Sequence, residues 1–339
     1  MKVLVDNLTV VIRSVGERTE GLCQRLACDQ VPEANVVVIR ERPFGAAVRK
    51  TFQVGLERGL RWTLALDADV LLRANAIRDM LAWAQIRTDE FFLANFSVAD
   101  KFLGRVREGG GHLYRTKLVD KALARAGPDI DGHERPESLV RARMGYEGYP
   151  AFQLHGLIVG LHDFEQSYRD IYRTTYVHQM KHPAADMTAC RAAWRRLAKH
   201  DPDFRVASIG AEAAAINGGA AVIDDRRFPA LVSEIDPLSD MQEKPPLRAD
   251  SFDLDAVSLQ VGQFSPFPEG FRVKDMSRYD RDLLDGQPTF GQRLRAAING
   301  VGVARFPLLA CGSVLRKTGD QVVRVANRNR VPARKWIKR

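Results

Sequence analysis

At 339 residues, 45% hydrophobic and 27% charged, the chain has the composition of a soluble globular protein with room for a large core. No apolar run approaches the roughly 18 to 20 residues that a membrane-spanning helix needs, so none is expected. The net charge of +9 is concentrated: residues 316–339 hold nine Lys or Arg against the single acid Asp320, which leaves the other 315 residues near neutral at +1. That distribution argues against a basic face spread over the fold, and so against a primary nucleic-acid binder.

In chain order, MKVLVDNLTVVIRS carries Asp6 and Arg13 inside its apolar stretch and lacks a small-residue cleavage site, so it reads as a strand over 8–15 rather than a signal peptide. A helix is expected over 18–30, a strand over 35–41, and a helix over 45–59 with the apolar stripe Val48, Phe52, Leu56, Leu60. A third strand covers 62–66. Asn75 is expected to cap a helix whose apolar side is Ile77, Met80, Leu81 and Ala84, and a fourth strand covers 91–98. Strands separated by helices of this length predict an α/β fold with a mostly parallel sheet covered on both faces. Beyond residue 100 the pattern loosens. Gly109-Gly110-Gly111 leads into a short strand or turn, then a helix-like KLVDKALARA and a loop over 127–136. Residues 152–161 read as a buried strand, with helices over 163–182 and 186–200. Frequent Pro and Gly over 237–290 indicate loops. Cys23, Cys28, Cys190 and Cys311 have no zinc-type spacing, which points to a reduced, cytoplasmic setting.

The most informative segment is RWTLALDAD (61–69), an apolar strand that ends in two carboxylates. Asp-x-Asp also occurs at Asp129/Asp131, Asp201/Asp203, Asp253/Asp255 and Asp280/Asp282, but only Asp67 and Asp69 close an apolar strand. In open α/β sheets the crevice past the strands' carboxyl ends binds ligands, and paired acids there can converge on a divalent cation.

The stretch GAAVRKTFQVGLERGLRWTLALDADVLL (45–72), set after two strand–helix alternations, resembles the nucleotide-sugar-binding half of the GT-A glycosyltransferases, especially family 2. The resemblance covers roughly the first 120 residues, with a fainter echo near 162. It implies a Rossmann-like GT-A domain over 1–185, a helical or irregular extension over 186–315 on the acceptor side, and the basic tail 316–339. It also implies a UDP- or GDP-sugar donor and Mn²⁺ or Mg²⁺. By the same resemblance, Asp67 or Asp69 contacts the ribose and Asp69 bears most of the cation binding. Arg13, Ser14, Glu41 and Arg49 face the nucleotide, and Gly110 and Gly111 let backbone approach the donor sugar. A late His is a third metal ligand in many such enzymes, which makes His162 the candidate here. The base that deprotonates the acceptor in an inverting reaction is expected at Asp163 or Glu165. The common Glu-Asp pair of family 2 is absent. His178 and His182, at i and i+4, share a helix face with Lys181, Arg169 and Arg173 nearby, which reads as a solvated face or a phosphate-binding patch.

These readings converge on a metal-dependent glycosyltransferase that moves a sugar from a nucleotide-sugar donor to a hydroxyl of a glycan or lipid-linked acceptor, with the basic tail offering peripheral contact to an anionic inner membrane face. Two other classes remain open. A nucleotidyltransferase shares this fold, although VIRSVGERTEG (11–21) is a poor match to a Gly-rich phosphate loop. A non-catalytic nucleotide-sugar-binding protein would keep the sheet and lack the base.

Overall fold

A computed structural model describes residues 4–87, 91–133, 135–182, 184–217, 241–264 and 272–276. The basic tail and Cys311 lie outside the described residues.

The N-terminal alternation forms as expected. Strands β1 (Leu8–Arg13), β2 (Val36–Ile39) and β3 (Trp62–Asp67) run parallel, with β1 in the middle. Helices α1 (Glu20–Cys28) and α2 (Phe44–Arg58) make the crossovers. Alternation along β3 divides the core. Trp62, Leu64 and Leu66 join the cluster under α1 and α3 (Ala76–Gln85), whereas Ala65 joins the cluster under α2 on the other face. The α3 stripe Ile77, Met80, Leu81 and Ala84 is buried. Asn75 occupies the position before α3 in a left-handed conformation, φ 58°, and its side chain makes no capping bond. In α2, Val48 and Phe52 are buried but Leu56 is exposed. A Cβ at Gly55 would lie 2.4 Å from Thr63 Oγ1, so α2 approaches β3 through this glycine and turns Leu56 outward.

After β3 the chain leaves its sheet neighbours. Only Ala68 and Asp69 separate β3 from β4 (Val70–Leu72), yet β4 pairs antiparallel with β7 (Ala151–His162) at the far end of the sheet order. Among the described residues that order is β2-β1-β3-β6-β5-β7-β4, with β8 (Arg272–Asp275) also on β7. A link this short spans about 10 Å at most, so the sheet must curl until its two halves meet beside Asp69. β5 (Leu93–Asp100) runs parallel to β7, and β6 (Arg105–Arg115) lies antiparallel between β3 and β5. Thus β1, β2, β3, β5 and β7 point one way and β4, β6 and β8 the other. The sheet is mixed, with the parallel set in the majority. The triple glycine falls inside β6, an 11-residue strand rather than a short strand or turn, because the register shift opposite Asn95 and Ser97 absorbs its irregular backbone.

Helices α4 (Val119–Arg125) and α5 (Pro136–Tyr146) complete the α2 face. The helix expected from residue 163 begins only at Tyr168, as α6 (Tyr168–Lys181). Asp163 and Glu165 hold φ of 62° and 60°, outside the helical region, and Ser167 caps the helix by accepting from the Asp170 N–H. α6 packs with α7 (Ala184–Leu197) and α8 (Pro202–Asn217) around Tyr172, Met187 and Trp194. Within 237–290, α9 (Leu254–Gly262) covers Leu71 and Leu161 with Val257 and Val261. Among the described residues no helix is long and apolar enough to cross a membrane.

Candidate functional site

A cavity of about 590 Å³ opens beyond the carboxyl ends of β1 and β3, between the start of α2, the glycine-rich part of β6 and one face of α6. Strand register sets its floor. Arg13 and Asp67 are Cα partners at the ends of β1 and β3, so their side chains meet: Nε donates to Asp67 Oδ1 at 2.9 Å. The same guanidinium donates to Glu137 Oε1 at 2.5 Å, and Tyr114 Oη donates to that oxygen at 3.1 Å. His112 Nε2 stands 3.3 Å from Glu137 Oε2. Burial alone would raise the Glu137 pKa, but Arg13 and His112 outweigh it and hold the carboxyl at about 2. Arg13 is buried in turn, with Phe44 stacked on it at 5.0 Å.

A second cluster comes from the other half of the sheet. Register makes Asp100 and Val70 both Cα partners of His162, which brings Asp69, Asp100, His162 and Asp163 together. His162 Nδ1 lies 2.9 Å from Asp163 Oδ2 and 3.2 Å from Asp100 Oδ2, and Nε2 lies 3.5 Å from Asp69 Oδ2. The Asp163 N–H donates to the Asp69 carbonyl at 3.3 Å. Arg107 donates from Nε to Asp100 Oδ2 at 2.5 Å, and its Nη2 sits 2.7 Å from His162 Nε2. Burial would raise the Asp100 pKa, yet Arg107 and His162 hold it well below the carboxylate range. Arg107 Nη2 lies 3.1 Å from His162 Nδ1 as well, so the guanidinium rests against the ring between its two nitrogens. The surrounding carboxylates draw the His162 pKa up, against burial and Arg107.

Asp69, His162 and Asp163 each offer a ligand atom within 4.8 Å of the others. Asp69 Oδ1 is buried without a hydrogen-bond partner. Its side chain keeps 22% exposure, on the cavity side; protein elsewhere desolvates it, and with Asp163 adding to this against His162 the carboxyl is pushed up to about 7. An orphaned carboxylate oxygen beside an imidazole and a second carboxylate is a donor set that suits a divalent cation such as Mn²⁺ or Mg²⁺.

The remaining expected residues separate clearly. Arg13, Ser14, Glu41, Asp67, Asp69, Gly110 and His162 line the cavity. Ser14 donates to Glu17 Oε2 at 2.7 Å, so it builds the cavity edge as much as it faces it. Arg49 does not line the cavity: it forms a two-point ion pair with Asp131, Nη1 to Oδ1 and Nη2 to Oδ2 both at 2.7 Å. Gly45 allows this packing, since a Cβ there would fall 2.6 Å from the Ile130 carbonyl oxygen. Gly111 turns toward Val159 and is absent from the lining, whereas Gly109 joins Gly110 in it. Asp163 is 1% exposed, has Oδ2 2.9 Å from His162 Nδ1 and is absent from the cavity lining. Glu165 accepts from Arg18 at 3.1 Å and also lies outside the lining. Of the helix-borne candidates, Arg173, His178, Lys181 and His182 do face the cavity.

Sequence reading missed Glu137, Arg107, Asp100 and Glu17. Asp100 carried a usable signal, since it closes the apolar run FFLANFSV two residues on, as Asp67 closes β3. Nothing local marks Arg107 or Glu137, whose partners are remote in sequence.

No family model matches the chain, and no curated protein matches it by sequence. Among solved structures, it is similar to the mannosyltransferase PcManGT from Pyrobaculum calidifontis in complex with GDP-Man and Mn²⁺, at 12% identity and TM-score 0.35, over 69% of this chain and 82% of that one. It is also similar to a glycosyltransferase involved in glycosylation of the major capsid of PBCV-1, at 14% identity and TM-score 0.25, over 36% of this chain and 67% of that one. A third likeness is to A197 from STIV, at 13% identity and TM-score 0.26, over 34% of this chain and 67% of that one. Two of these three structural neighbours are glycosyltransferases by name.

Proposed function

We propose that the chain is a metal-dependent glycosyltransferase of GT-A type that moves a sugar from a UDP- or GDP-sugar to a hydroxyl of a glycan or lipid-linked acceptor, with inversion. The observation that carries the reading is the orphaned Asp69 Oδ1, buried beside His162 and Asp163 at the edge of a cavity large enough for a nucleotide-sugar. Asp69, His162 and Asp163 would hold Mn²⁺ or Mg²⁺. Such an ion, when bound, supplies positive charge to the leaving diphosphate. Arg13 and Glu137 fix Asp67 at the end of β3, where its free oxygen is available to the ribose. Ser14 and Glu41 sit on the nucleotide side of the cavity, and Gly110 leaves room for the sugar. The acceptor proton needs a carboxylate that lines the cavity, and Glu17, Glu41 and Glu108 meet that condition.

A panel of UDP- and GDP-sugars with Mn²⁺ tests the reading. One donor should be turned over, and Asp69→Ala should reduce that turnover by about a thousandfold or more. Tight donor binding without turnover would instead make this a nucleotide-sugar-binding protein, and pyrophosphate release from a nucleoside triphosphate would make it a nucleotidyltransferase. The basic tail would hold the enzyme at the anionic inner face of a membrane. Deleting 316–339 should then weaken sedimentation with phosphatidylserine vesicles, by roughly 1 kcal/mol for each Lys or Arg that reaches the surface. Unchanged partition would sink that role.

A further inference from the structure

Helix α6 presents one face to the cavity, and the donor site described above leaves that face without a task. Six residues of α6 and its C-terminal cap line the wall in two i,i+4 rows: Arg173, Val177 and Lys181, then Thr174, His178 and His182. Four of the six carry nitrogen donors and none is an acid. The opposite side of the helix fixes this orientation. Ile171, Tyr172 and Tyr176 are buried in the cluster shared with α7 and α8, and a Cβ at Gly210 would lie 2.5 Å from the Tyr172 carbonyl oxygen. With α8 packed this closely, α6 holds the same rows toward the cavity.

From Arg173 to His182 the wall runs about 13 Å, at 1.5 Å per residue, and its two ends have different neighbours. Arg173 acts on Glu17, which Ser14 holds on the nucleotide side. Midway, His178 is near enough to feel Asp100, Asp163 and Arg107 of the metal cluster. At the far end, His182 feels Arg107, Arg105, Asp100 and Asp186, and its ring meets His178 edge-on with centroids 5.1 Å apart. Arg105 is the first residue of β6 and pairs with Asp186 at 3.2 Å. The wall thus begins beside the nucleotide, passes the metal cluster and continues beyond it. Burial lowers the pKa of both imidazoles, so at neutral pH each offers an N–H, and Arg173 and Lys181 bring the positive charge.

A diphosphate on an ion at Asp69 and His162 would lie against the middle of this wall. Lys181 and His182 stand roughly 5 to 6 Å further along the helix axis than His178, on the side away from the nucleotide. In an inverting displacement the acceptor enters opposite the leaving diphosphate, so the two do not share one end of the wall. We propose that Lys181 and His182 bind a phosphoryl group of the acceptor, which is therefore a phosphorylated sugar or a glycan carried on a lipid phosphate. A lysine suits this ligand, since its three donors reach phosphate oxygens from many directions. The assignment to an acceptor rests on the sugar-transfer reading, whereas the anion site stands on the wall alone.

The test is calorimetric titration of inorganic phosphate into the full chain, saturated beforehand with Mg²⁺ and with UDP or GDP so that the donor's phosphates are already in place. Wild type should still bind phosphate. Lys181→Met should weaken that binding about tenfold or more, as expected for one charge-assisted hydrogen bond. His182→Asn should weaken it as well, and it serves if Lys181→Met fails to fold. Displacement of phosphate by the nucleotide overturns the proposal, and so does wild-type phosphate affinity in both variants. If neither nucleotide binds, the sugar-transfer reading fails and takes the acceptor assignment with it; phosphate titration of the bare chain against Lys181→Met then decides the anion site by itself. Once a donor is known, three acceptors separate the sources: an octyl glycoside, the same sugar as a soluble phosphate ester, and the same sugar on a prenyl diphosphate in detergent micelles. A KM at least tenfold lower for either phosphorylated form supports the proposal and names the source, and Lys181→Met should raise that KM more than it lowers kcat. Equal KM for all three overturns it.

Discussion

Arg13 is buried to 5% exposure and depends on two carboxylates, Asp67 and Glu137, that come from different layers of the fold. Such a guanidinium keeps its charge in the interior and is tolerated there only while its partners remain, because removing one leaves charge that neither water nor protein neutralises. Glu137→Gln keeps the shape and removes the charge. It should lower stability by about 3 kcal/mol, read as a fall in the urea midpoint with little change in slope. An unmoved midpoint would mean that Asp67 alone satisfies Arg13. The substitution should also loosen Asp67, whose remaining restraint is this single guanidinium, and so weaken donor binding more than turnover.

At the scale of elements, the pairing of β4 with β7 decides where Asp69 lies. A Cβ at Gly160 would stand 2.1 Å from the Leu71 carbonyl oxygen, so the two strands approach through this glycine. Gly160→Ala should push β4 off β7 and carry Asp69 away from His162. Mn²⁺ affinity should drop at least tenfold although no ligand changes, with a stability loss of about 2 kcal/mol from overpacking. Wild-type affinity in that variant would show that β4 tolerates the shift. This contact also explains what sequence could and could not reveal. The β1 to β3 alternation was legible because each strand and helix announces itself by local periodicity, and Asp67 and Asp69 stood out because they close an apolar strand. The course of β6 was not legible, since three consecutive glycines carry no periodicity and its 11-residue length comes from partners on both sides. Arg49 misled for a related reason. Its position at a helix start suggested an anion, but the anion is Asp131, 82 residues further along the chain. That Asp163 is buried beside His162 and away from the cavity lining was not legible either, because burial is a tertiary fact.

For the molecule as a whole, two buried groups give stability a dependence on pH with one sign. His178 Nδ1 is buried without a partner, and burial, against Asp100 and Asp163, brings its pKa down to about 4 from an ordinary 6.5. The unfolded chain therefore takes up this proton first as pH falls. The His178 share of stability should be full above pH 6.5 and decline by about 2 kcal/mol toward pH 4, allowing for the part of the ring open to the cavity. Asp69, raised to about 7, acts with the opposite sign in the same window. Glu137, at about 2 against 4.5, adds a second decline between pH 4.5 and 2. His178→Gln should flatten the first decline and leave the second, as measured by urea unfolding at stepped pH. A profile with the same slope between 6.5 and 4 in that variant would assign the effect to another group.

The three-residue strand β4 pairs with β7 and with no other described strand, and this sets when the site can exist. During synthesis Asp67 gains its neighbours early, since β1 and β2 precede it. Asp69 has no strand to hold it until residues 160–162 have been made, roughly ninety residues later, and those residues bring His162 with them. The Asp69–His162–Asp163 cluster is thus assembled in one late, non-local step. A nascent chain or a fragment ending before β7 carries the acidic tripeptide without His162 and Asp163, so on the proposed reading a half-made copy does not compete for the cation with the finished protein.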